Sequence, residues 1–82
     1  MTKKLCELKT GECGTVSAVR GESEHMSGRL RALGFCEGAR VRKTMVSPLG
    51  DPSAYLVEGS VIALRYSDAL DILVFTEAGD EY

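Results

Sequence analysis

Pro48-Leu49-Gly50-Asp51-Pro52-Ser53-Ala54-Tyr55-Leu56-Val57-Glu58-Gly59-Ser60-Val61-Ile62-Ala63-Leu64-Arg65 is the stretch that decides the fold. Its Pro/Gly/Asp opening reads as a turn, because proline fixes φ and glycine accepts positive φ. Two short runs of β-branched and aliphatic residues follow, parted by Glu58-Gly59. Two turn-forming residues between two such runs are a hairpin signal. A two-residue loop sets the register: Val57 faces Ser60, Leu56 faces Val61, Tyr55 faces Ile62 and Ala54 faces Ala63. Strand side chains alternate, so this register sorts them into two faces. Tyr55, Val57, Ile62 and Leu64 form a bulky, uncharged face, expected to be core. Ala54, Leu56, Val61, Ala63 and Arg65 form the opposite face.

Outward from the hairpin, the chain offers short strands and a single long helical pattern. Met1–Lys4 are expected to be loose, and Leu5-Cys6-Glu7-Leu8 suits one helical turn. Cys13–Arg20 reads as a first strand. The helix is predicted over 23–34, with Ser23 as N-cap and Gly34 as the terminating glycine. Met26, Leu30 and Leu33 make its apolar stripe, and Arg29 and Arg31 lie off it. Phe35 should anchor into the core. Ala39–Val46 is a second strand with Arg40 and Arg42 on one face, and residues 66–70 form a short helical turn. Asp71–Phe75 is the last strand, with Ile72 and Val74 inward and Leu73 and Phe75 outward. The sum is a mainly β domain over residues 1–76 and an acidic tail at 77–82, expected to be disordered. Five short antiparallel strands must hide their edges, which predicts a small SH3-like barrel with one inserted helix.

Composition narrows the functional classes. Eighty-two residues make one small domain with a thin core. The net charge of −2 argues against a nucleic-acid binder. That charge is unevenly spread. Arg29, Arg31, Arg40, Arg42 and Lys43 cluster against Glu37 alone, whereas Arg65 is the one basic residue among seven acidic ones from Asp51 onward. No apolar run approaches the ~20 residues that span a bilayer, and no signal-peptide pattern follows Lys3-Lys4, so a soluble, cytoplasmic protein is expected. Cys6, Cys13 and Cys36 are odd in number and widely spaced, which fits reduced thiols.

No GxxxxGK[ST], GxSxG, HExxH or CxxC motif occurs, so no catalytic residue, resident metal or cofactor is expected. His25 has no catalytic partner at motif spacing. As a metal ligand it would need Cys13 or Cys36, and Cys6 and Cys13 are not at zinc spacing. From residues alone the reading ends at a small β-barrel that binds a partner.

Several ordered motifs carry more. Leu5-x-x-Leu8-x-x-Gly11-Glu12-x-Gly14, Arg29-Leu30-x-x-Leu33-Gly34-Phe35-x-x-Gly38, Pro48-Leu49-Gly50-Asp51-Pro52, Gly59-x-x-Ile62-Ala63-Leu64-Arg65 and Ala69-x-x-Ile72-x-Val74 together resemble the ferrous-iron transport protein A (FeoA) family over residues 5–75. Glu37, where the family often has proline, and Ser53, where it often has an aliphatic residue, depart from the pattern. The resemblance implies an SH3-like fold and a non-enzymatic, cytoplasmic accessory role beside the bacterial ferrous-iron permease with its GTPase domain. Contact with the membrane would then come only through that partner, and homo-oligomerisation is left open. The alternative implied is a metal-responsive regulatory module, since iron-dependent repressors carry the same barrel at their C-terminus. Candidate partner-binding residues are Leu56, Val61, Arg65, Leu73 and Phe75, with Arg29 on the helix. Some of the apolar residues on the side opposite the core set, Leu56, Val61, Ala63, Leu73 and Phe75, are expected to form an exposed patch, the alternative being that the helix, the Leu5/Leu8 turn and the 66–70 turn cover it.

Overall fold

The computed structural model describes residues 1–21 and 24–76, with the backbone alone at 24 and 25. In chain order these form β1 (Thr2–Lys4), a 3-10 turn (Leu5–Glu7), β2 (Cys13–Val19), α1 (Glu24–Ala32), β3 (Arg40–Val46), β4 (Ser53–Val57), β5 (Ser60–Leu64), α2 (Tyr66–Ala69) and β6 (Ile72–Phe75). The strands make one antiparallel sheet in the order β1-β6-β2-β3-β4-β5. Ser23, the expected N-cap, and the acidic segment 77–82 lie outside the described residues.

The hairpin has the expected register, from Ala54 opposite Ala63 to Val57 opposite Ser60. Glu58 and Gly59 have φ of 50° and 77°, the handedness that follows the twist of the two strands. Tyr55, Val57 and Leu64 are buried and Ile62 packs against them half-buried. Leu30, Phe35, Ile72 and Val74 join them, as do Leu5 of the 3-10 turn, Leu8 just after it and Ala69 of α2. The helix and both turns therefore cover the inner face of the sheet, not the outer one.

Gly34 ends α1 with φ of 111°. Its N–H donates to the Arg31 carbonyl at 3.0 Å, and that of Phe35 donates to the Leu30 carbonyl at 3.1 Å. This bond pair satisfies carbonyls the helix end would leave open and turns Phe35 inward, where it is fully buried.

Two expectations are corrected. Met1–Lys4 are not loose: Thr2, Lys3 and Lys4 pair with Phe75, Val74 and Leu73. Beyond the ladder, the Thr76 N–H donates to the Met1 carbonyl at 2.8 Å, and the Lys3 ammonium meets the Glu12 carboxylate at 3.0 Å. The Lys9 N–H and then Lys3 hold that carboxyl below its usual range. Second, the described residues form six strands, not five, and among them the hydrogen-bonded order is open between β1 and β5 rather than closed into a barrel.

The β2–β6 seam is tight at Gly14. A Cβ there would lie 2.9 Å from the Phe75 carbonyl oxygen and 2.9 Å from Thr76 Cγ2. Backbone cannot swing aside as a side-chain tip can. Gly14→Ala is therefore expected to cost about 1–3 kcal/mol through overpacking. In thermal unfolding, a melting point within about 1 °C of wild type would show that the seam yields freely.

Candidate docking surface

Outward-facing residues of β3, β4 and β5 stand in two rows across the sheet. One runs Arg42–Leu56–Val61 and the next Met45–Ala54–Ala63. Five of the six are apolar. Val61 is 63% exposed and Met45 56%. Leu56 and Ala54 are half-buried, as expected for the middle strand of the three.

Strict alternation along β3 would turn Met45 inward with Val41 and Lys43. A bulge at Thr44 prevents this by shifting the register between Lys43 and Met45. The Thr44 hydroxyl donates to the Ala54 carbonyl at 3.1 Å, holding the bulge to β4. Met45 thus joins a face that sequence alternation could not assign to it. At the other end, Arg40, Val41, Arg42, Leu56, Glu58 and Gly59 line a shallow cleft of about 180 Å³. The Arg40 guanidinium donates to Cys13 Sγ at 3.1 Å.

The candidate residues Leu56, Val61, Leu73 and Phe75 fall into two separate groups. Phe75 lies between Thr2 and Thr15, and Leu73 between Lys4 and Ala18. Thr15 in turn faces Arg40, and Cys13 faces Arg42. Two whole strands, β2 and the arginine-bearing β3, separate the β6 residues from the hairpin, because periodicity names a side chain's face but not its strand's place in the sheet. Phe75 remains 45% exposed and Leu73 half-buried. Arg65 follows β5 and donates from Nε to buried Asp68 at 3.2 Å. Arg29 is exposed on α1, whose Leu30 packs into the core, so it stands apart from these rows. Arg31 beside it pairs with Glu37 at 3.3 Å.

In the sequence Asp51 is only a turn residue. Its carboxylate accepts the Tyr66 N–H at 2.8 Å, capping the first turn of α2 from fifteen positions away. Among the described residues, no three His, Cys, Asp or Glu side chains converge into a metal-holding group. None of the three cysteines is in a disulfide. Burial, and then Glu7, push the Cys6 thiol above its usual range, away from the reactive thiolate. The Cys36 thiol lies 3.7 Å from the Gly34 carbonyl. The side chain of His25 is outside the described residues. No described helix is long and apolar enough to cross a membrane.

Comparison with known proteins fits this architecture. The family model described as the FeoA domain matches residues 3–75. The solution structure of the Chlorobium tepidum FeoA protein is 37% identical, with 96% of this chain and 74% of that one covered and a TM-score of 0.83. Stenotrophomonas maltophilia FeoA, a procaryotic SH3 domain protein solved in complex with zinc, is 30% identical over 98% of this chain and 95% of that one, with a TM-score of 0.76. A manganese-dependent transcriptional repressor at 17% identity covers 93% of this chain but 42% of its own, with a TM-score of 0.82, and shows likeness of fold alone. No curated protein sequence matches. Matched by the family model over nearly its whole length and built on the same SH3-like fold, the chain belongs to the FeoA domain family.

Proposed function

We propose that this protein is a small accessory factor of bacterial ferrous-iron uptake that works by protein–protein contact with the cytoplasmic part of the ferrous-iron permease and its GTPase domain. Family membership supports the iron-transport setting. The observation carrying the docking reading is the outer face of β3–β5: Met45, Ala54, Leu56, Val61 and Ala63 contiguous, outside the core, and bordered by Arg40 and Arg42. Apolar patches of this kind mark interfaces, and flanking charge orients the partner more than it tightens binding. The arginine border fits an acidic rim on the partner. Leu73 and Phe75 on the far side of the arginines are a second contact in this reading, Arg65 a flanking one, and Arg29 a contact only for a partner that also reaches α1. The protein works in the cytoplasm, and no catalytic step is assigned to it.

The regulatory alternative has the fold likeness to metal-dependent repressors behind it, at identities that speak only for fold. Docking is tested by titrating the labelled domain with the permease's purified cytoplasmic region. Leu56→Asp and Val61→Asp are each expected to weaken binding at least about tenfold. Val61 is largely exposed, so its variant should keep the wild-type NMR spectrum. Folded variants that bind as wild type does would remove this face from the interface.

A further inference from the structure

The open sheet has two edges, and they differ. β1 carries Lys3 and Lys4, the charged residues with which natural edge strands resist pairing. β5 reads Ser60-Val61-Ile62-Ala63-Leu64, with no charge, no proline and an unbroken register against β4. Among the described residues β4 is its only strand partner. Ser60, Val61 and Ala63 are exposed and Ile62 half-buried, so the edge is open to solvent.

We propose that β5 is a self-association edge, where a second copy of this chain adds its own β5 antiparallel and joins two sheets into one. Charge placement selects this occupant and direction. Glu58 precedes β5 and Arg65 follows it, both exposed. An antiparallel second copy sets Glu58 of each chain beside Arg65 of the other, whereas a parallel one sets like charges side by side. A two-fold axis through Ile62 puts Val61 opposite the second copy's Ala63, with matching faces of the sheets on the same side. The two outer faces of β3–β5 then run together as one apolar surface across the axis.

A single five-residue edge buries little area, and interfaces at the low end of size are weak. The expected dimer is therefore concentration-dependent, with a dissociation constant of about 10–1000 μM. Sedimentation velocity on the full chain, from about 10 μM to 1 mM, reads it without any permease present. Val61→Lys/Ala63→Lys places like charges directly opposite each other across the axis and should weaken association at least about tenfold. Val61→Lys/Ala63→Glu places opposite charges there and should restore it. Both positions are exposed, and NMR spectra check that each variant folds. A wild type that stays monomeric at 1 mM, or a lysine pair without effect, overturns the proposal. A Lys/Glu variant as monomeric as the Lys/Lys one overturns the Ile62-centred register.

Discussion

Phe35→Ala is expected to remove about 3–5 kcal/mol, the range for deleting a buried aromatic ring. A domain of this length has roughly 4–12 kcal/mol in total by per-residue scaling, so the variant should be close to unfolded at 37 °C. The site cannot collapse cheaply. Phe35 is fully buried, and its ring meets Tyr55 edge-on, with centroids 6.4 Å apart and planes at 86°. Such a pair contributes about 0.5–1.5 kcal/mol beyond area burial. The same residue is tied to the helix end through its N–H bond to the Leu30 carbonyl. Next to it, a Cβ on Gly34 would come within 3.6 Å of the Val57 methyls, so the helix terminus and the hairpin are already in contact there. Urea denaturation of wild type, Phe35→Leu and Phe35→Ala measures the effect, with the leucine variant in between. A loss under about 1 kcal/mol for alanine would mean that Phe35 does not join the helix to the hairpin.

Features legible in the sequence are those set by neighbours in the chain. A two-residue loop permits one register, so Glu58-Gly59 together with alternation was enough to sort Tyr55 and Val57 from Leu56 and Val61. Gly34 after an apolar stripe marked the helix end for the same local reason. What escaped depends on distant partners. Three residues with two lysines carry no strand signal, and Thr2–Lys4 become a strand only because β6 offers its edge. Met45 faces outward through a one-residue bulge that alternation cannot register. Lys43, in sequence one member of the basic cluster, is 8% exposed on the inner face beside Val41, its ammonium 3.5 Å from the Cys6 carbonyl. The candidate surface was half legible in the same way. Leu56, Val61, Leu73 and Phe75 were each assigned the correct side of their strands, but strand order decides which of them are neighbours.

Leu30→Ala is expected to cost about 2–5 kcal/mol, and Leu33→Ala, on the same helical stripe, only about 1 kcal/mol. The stripe alone would rank the two alike. Leu30 is 1% exposed within the core cluster, in the turn whose carbonyl receives the Phe35 N–H. Removing its side chain leaves a hole under the bond pair that ends the helix. Leu33 stands where the helix is already breaking: its N–H is shared between the Arg29 and Leu30 carbonyls at 3.2 Å each, and Gly34 reverses the chain immediately afterwards. That reversal lifts Leu33 to the rim, where it is half-buried against the core rather than within it. Truncation there exposes some surface to water but opens no closed cavity, so the cavity contribution disappears and part of the transfer term remains. Paired chemical denaturation of the two variants decides the matter. Equal losses would mean that Leu33 is enclosed in solution as fully as Leu30, and the helix would then dock along its whole stripe.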